Sequence, residues 1–117
     1  MKKLLIVLSV AGVGLTGVAS AASPDPAKAR ELMAVVQSST ELAERARALQ
    51  QLALVGTREA VPMLVGWLAD PKLGQYARDV LEQMPDPAAG DALRAAVGVL
   101  QGRAQIGVVN SLGVRRD

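Results

Sequence analysis

Ala48 to Leu68 reads ALQQLALVGTREAVPMLVGWL, and the spacing of its apolar residues sets the kind of fold this chain can form. Leu49, Leu52 and Ala53, then Val61, Leu64, Val65 and Leu68, recur at intervals of three and four, so each half is predicted to be a helix with one buried stripe. Gly56 and Thr57 separate the halves. Gly56 suits the left-handed conformation that ends a helix, and the Thr57 hydroxyl can accept one of the unpaired N–H groups opening the next. Pro62 falls early enough in the second helix that little hydrogen bonding is lost.

The same arrangement returns further along. Ala48, Leu52 and Thr57 have counterparts in Ala77, Leu81 and Asp86, and again in Val108, Leu112 and Asp117. The unit therefore recurs with a period of roughly 30 residues, and self-similarity at such a period marks stacked helical pairs, each too small to bury its own apolar face. The expected architecture is all-α: an α-solenoid of antiparallel helical pairs, about two and a half repeats long. Asp86 and Pro87 repeat the turn chemistry as N-cap and first helical residue.

Glu59-Ala60-Val61-Pro62-Met63-Leu64-Val65 with Leu68 and Asp70 is similar to the second-helix signature of HEAT repeats, and Arg45, Ala48 and Leu52 resemble the first-helix pattern. The resemblance covers residues 41–117 and departs most where Gly90 and Asp91 stand in the places of Val61 and Pro62. It implies a protein–protein interaction scaffold whose second helices line a concave surface. Arg58, Trp67 and Arg94 are then the candidate protein-binding residues, because they lie on those helices and aromatics are enriched at interface hot spots. Trp67 has a second reading, packing on a neighbouring helix, and the two arginines a second reading as solvated charge. The resemblance also leaves room for an accessory module of a larger secreted multidomain enzyme or c-type cytochrome protein, since HEAT-like segments accompany catalytic or haem-bearing domains. Phycobilisome-lyase-type enzymes share similar repeats and form a third reading.

Composition narrows the chemistry. With no Cys and no His, the chain holds no disulfide, thiolate metal site, Cys nucleophile or His base. Aromatics make up 2%, with no Phe, so a core must come from Leu, Val, Ala and Met. The formal charge of +2 misleads, because Lys2 and Lys3 lie in a targeting segment; the 13 basic residues less these two equal the 11 acids. A neutral, aromatic-poor surface lacks the charge and stacking platforms of nucleic-acid binders. Catalysis by paired carboxylates needs two in one cleft; Asp25, Asp86 and Asp117 read instead as helix caps and Glu41 as half of a capping box. No enzymatic activity, cofactor or metal is expected.

Residues 1–21 have the order of an export signal: basic Lys2-Lys3, an apolar run from Leu4 to Val18, and small Ala19-Ser20-Ala21 before cleavage. The run is shorter than the roughly 20 residues that span a bilayer, and a periplasmic or secreted location is expected, with an uncleaved anchor as the other reading of the segment. Gly12-Val13-Gly14-Leu15-Thr16-Gly17 satisfies GxGxxG, yet Ser23-Pro24-Asp25-Pro26 follows where a dinucleotide site needs its helix and second strand. Residues 22–40 form a linker and an N-terminal capping helix, with Asp25 as cap, Pro26 as first residue, an end near Gln37, and an apolar face of Leu32, Met33, Val35 and Val36. Ser38 and Glu41 form a capping box for the next helix.

Residues 41–117 hold the repeats. Asp70-Pro71-Lys72 precedes a helix over Leu73–Gln83 that buries Ala77, Val80, Leu81 and Met84. The next runs to about Leu100 and buries Leu93, Val97 and Leu100. The last carries Ile106, Val109 and Leu112 and ends at Gly113. Asp117 stands where Thr57 and Asp86 stand, so the last repeat is incomplete, further repeats or domains are expected beyond it, and Ile106, Val109 and Leu112 lack a covering helix.

Overall fold

A computed structural model of the chain describes residues 23–116, and their regular structure is entirely helical. The export signal expected over Met1–Ala21 lies outside the described residues, as does the Asp117 cap. Six α-helices follow one another: α1 (Pro26–Ser38), α2 (Leu42–Val55), α3 (Val61–Trp67), α4 (Gly74–Gln83), α5 (Pro87–Val97) and α6 (Gly102–Arg115), with a 3-10 turn at Arg58–Ala60 before α3.

Two starts form as the sequence dictates. Asp25 accepts the Lys28 N–H at 3.2 Å with Pro26 behind it, and Asp86 accepts the Ala88 N–H at 2.8 Å with Pro87 behind it. Each carboxylate satisfies an N–H that the helix leaves unpaired, while proline supplies the right φ where its missing N–H costs nothing. Asp70 accepts from both Lys72 and Leu73 N–H at 2.8 Å and turns the chain into α4.

Helices α2, α4 and α6 pack side by side as one row, and α3 packs against α5 as another. α1 lies on α2 at one end. The core between the rows carries the sequence period in its burial. Leu52 and Leu81, Ala60 and Ala89, and Leu64 and Leu93 are three pairs set one period apart, and all six side chains are fully enclosed. Ala48 and Ala77 are buried as well, with Val108 in the same column. Burying a leucine of this kind is worth about 1.5–3 kcal/mol relative to leaving it in water, so these columns hold the two rows together.

Several local expectations are corrected. Gly56 is extended rather than left-handed (φ −63°, ψ 148°). Its glycine is needed for close approach: a Cβ there would stand 2.7 Å from the Leu52 carbonyl oxygen, which accepts the Gly56 N–H. Thr57 makes no side-chain cap bond. Pro62 has no N–H to offer the Arg58 carbonyl four residues back and its ring crowds that oxygen; Val61 N–H bonds it instead, in the tighter 3-10 pattern. The Ser38–Glu41 capping box does not form. α1 continues through Ser38, whose hydroxyl donates to Ala34 O at 2.7 Å, and Ser39 takes the linking role, accepting Glu41 N–H and donating to Glu44.

The faces of some helices also differ. α1 buries Ala29, Leu32 and Val36 and exposes Val35; Val65 of α3 is exposed. α4 starts one residue late, leaving Leu73 buried in the preceding turn. α5 ends at Val97, and Val97 and Leu100 are only half-buried. α6 runs past Gly113 to Arg115 and buries Gly107, Val108 and Ser111, whereas Ile106 and Val109 are 61% and 50% exposed and Leu112 is half-buried.

Candidate binding surface

Arg58 sits in the 3-10 turn rather than on the second helix proper, and it is bound across the repeat boundary. Its Nε donates to Asp86 Oδ2 at 3.0 Å and its Nη2 to Oδ1 at 2.9 Å, a fork that matches the carboxylate plane. Hydrogen bonding from Arg58, and next that from Ala88 N–H, holds the Asp86 carboxyl below its ordinary range. One boundary earlier, Arg30 of α1 makes the same kind of fork: its Nε reaches both Glu59 oxygens at 3.1 Å, and that hydrogen bond lowers the Glu59 carboxyl. Both pairs lie in solvent, where such contacts are worth little in stability. The two pairs span 29 and 28 residues in sequence, close to one period.

Trp67 ends α3, half-buried against the core, and the Arg45 guanidinium lies 5.3 Å from its ring centroid. Arg45 is itself steadied by donating from Nε to Ser39 O at 2.6 Å. Stacking of this geometry is a cation–π contact, so Trp67 packs on α2 through Arg45 while part of its surface stays open. Arg94, exposed on α5, pairs with Asp91 at 2.5 Å one turn back. It stands one period after Val65, which is likewise exposed, so both belong to one outward stripe of the second row.

The three candidates do not converge. Arg58 lies in the turn before α3 and Trp67 at the far end of α3, with the whole helix between them, and Arg94 is on the next helix of the row. None of the three lines either of two cavities in the surface.

Those cavities lie elsewhere. One, about 290 Å³, opens between α2 and α4 with Tyr76 and Asp79 in its wall. Burial pushes the Asp79 carboxyl up, partly opposed by the positive charge of Arg78 and reinforced by Glu82. The other, about 640 Å³, lies between the turn before α4, α4 itself and the start of α6. Arg78 and Arg103 supply its positive charge, and the Arg78 Nε is buried with no hydrogen-bond partner. Composition held no hint of Arg78, but the repeat did: one period before it stands Leu49, a fully enclosed core residue.

Among the described residues no group of three or more Asp and Glu side chains converges as a metal site, and no helix is long and apolar enough to cross a membrane. Comparison with known proteins returns no match to a family model, a curated protein or a solved structure.

Proposed function

We propose that this chain is an exported, non-enzymatic protein-binding module built as a solenoid of HEAT-like helical pairs. The observation that carries the reading is the repeat period, present at once in the sequence, in the buried columns and in the two rows of helices. A stack of this kind devotes its apolar residues to joining neighbours and leaves a long row of exposed second helices for recognition. Trp67 and Arg94 lie along that row with Arg58 in the turn that enters it, and Trp67 in particular offers an apolar ring whose polar surroundings are already organised. The neutral balance of charge outside Lys2 and Lys3 favours a protein over a nucleic acid as partner. Export to the periplasm or medium rests on the basic-apolar-small order of Met1–Ala21.

The test is an affinity capture from the envelope fraction of the source cells, run in parallel with the chain and with its Trp67→Ala/Arg94→Ala variant. The reading expects a protein retained by the first and lost by the second, with the mature chain beginning after Ala21. Equal retention by both, or an intact Met1 in the cytoplasm, would sink it.

A further inference from the structure

We infer that the cleft between α4 and α6 is a receptor for a carboxylate of a partner polypeptide, with Arg78 as the group that receives it. This deepens the reading of the chain as a protein-binding module and rests on it for the nature of the ligand. Arg78 occupies the place that Leu49 fills in the preceding helical pair, so a guanidinium stands where the repeat calls for an enclosed leucine. Its Nε is buried without a partner, and among the described residues Arg78 makes no hydrogen bond or ion pair. A buried N–H without an acceptor costs stability, and the remaining guanidinium donors of Arg78 border the cleft, where an acceptor can meet them.

α6 is shaped around this side chain. A Cβ on Gly107 would overlap Arg78 Nη1 and lie 2.8 Å from Cζ, so any other residue there would make the flexible end of Arg78 shift from its place against the helix backbone. The neighbouring carboxylates are turned to other tasks. Asp70, the one acid in the lining, uses Oδ1 for two backbone N–H groups, Glu82 accepts from Ser111, and Asp79 feels the Arg78 charge but lines the other cavity and forms no ion pair with it. Arg103 adds a second positive charge at the mouth.

Two arginines against one committed acid give a cleft one charge positive, which matches a single carboxylate better than a phosphate dianion. Leu68, Pro71 and Ile106 supply apolar wall for the stem of an acidic side chain or the last residue of a chain. The planar fork of Arg78 is the donor arrangement that pairs with a carboxylate through two bonds.

The experiment follows the arginine Nε–Hε and backbone amide resonances of the ¹⁵N-labelled protein during titration. The probes are acetyl-Ala-Glu-Ala-amide, acetyl-Ala-Gln-Ala-amide, acetyl-Ala-Ala-Ala with a free terminus, inorganic phosphate, and sodium chloride at matched ionic strength. Saturable shifts at Arg78 Nε–Hε and Gly107 with the Glu peptide or the free terminus, but not with the Gln peptide or chloride, are the expected result. Which of the two binds tighter tells a side-chain from a chain-terminal carboxylate. Arg78→Gln and Gly107→Ala should each weaken binding at least tenfold, and the surface change Arg103→Gln, which leaves the fold intact, several-fold. Shifts reproduced by phosphate or chloride at equal concentration, no saturation with either carboxylate, or affinity unchanged in Arg103→Gln and Gly107→Ala would overturn the inference. A partner held through Trp67 and Arg94 with this cleft silent removes the cleft assignment alone; carboxylate binding with no captured partner removes the module reading and leaves the cleft.

Discussion

The junction of α2 with α4 and the junction of α4 with α6 join equivalent helices by different means. At the first, Leu49 and Leu52 face Ala77, Val80 and Leu81, all of them buried apolar side chains. At the second, α6 presents Gly107, Val108 and Ser111, and polar contacts do much of the joining: Ser111 donates to Glu82 at 2.7 Å, and Arg115 Nη1 donates to the carbonyls of Leu81, at 3.0 Å, and of Met84. Gln105 adds a bond to Val97 O at 2.9 Å from the α5 side. A single repeat pattern thus supports one interface joined by apolar side chains and one joined largely by hydrogen bonds; each borders a cavity, and the larger lies around Arg78 at the second.

The largest expected effect breaks the apolar junction. Leu52→Ala and Leu81→Ala should each cost about 2–5 kcal/mol in denaturant unfolding, through lost burial and a residual cavity. Val108→Ala, in the same column but on α6, should cost about 1–2 kcal/mol, in proportion to the two carbons removed. Equal costs at all three positions would remove the contrast between the junctions.

Next in size is Arg115. Its side chain satisfies carbonyls at the end of α4 that no helical N–H can reach. Arg115→Met should cost about 1–3 kcal/mol, and amide exchange should quicken over α6 and the end of α4 while α2 keeps its protection. Uniform loss of protection across α2, α4 and α6 would mean that the two junctions are not separable.

The smallest effect concerns acid. The Asp86 carboxyl is depressed in the fold by Arg58, so its contribution is present above the unfolded carboxyl range near pH 4 and is lost as pH falls through the lower folded value. Asp79 works in the opposite sense: burial raises it, so the fold gains as pH falls through that raised value. Arg58→Gln should therefore flatten the acid limb of a stability–pH curve, and Asp79→Asn should raise stability near neutrality. An acid limb of unchanged slope in Arg58→Gln would show that Asp86 is not held by this pair.

What the sequence shows of this fold follows the range of the forces involved. Apolar periodicity and the Asp25-Pro26 and Asp86-Pro87 starts are local, and the helices form where they direct. The columns through Leu52 and Leu64 were legible because the repeat prints them twice. Gly56, Thr57 and the Ser38–Glu41 pair misled because each allows two turn geometries, and Pro62 and the length of α1, not the cap residues, chose between them. The buried face of α6 was hidden for another reason. Its pattern of Ile106 and Val109 advertises an apolar stripe, but the side chains it meets are Arg78 and Glu82, for which glycine and serine are the fitting partners. Arg78 itself is visible only by laying one helical pair over the next, since nothing about an arginine at mid-helix distinguishes it otherwise.

The central claim, that residues one period apart hold equivalent places, meets its most direct test in a chain without cysteine. Single cysteines at Leu52, Leu81, Leu64, Leu93, Val65, Arg94 and Ile106 can be timed in their reaction with a thiol reagent under native conditions. The first four should react only as fast as the protein unfolds, and the last three at the rate of a free thiol. A protected cysteine at 52 or 64 with a fast-reacting mate at 81 or 93 would contradict the claim.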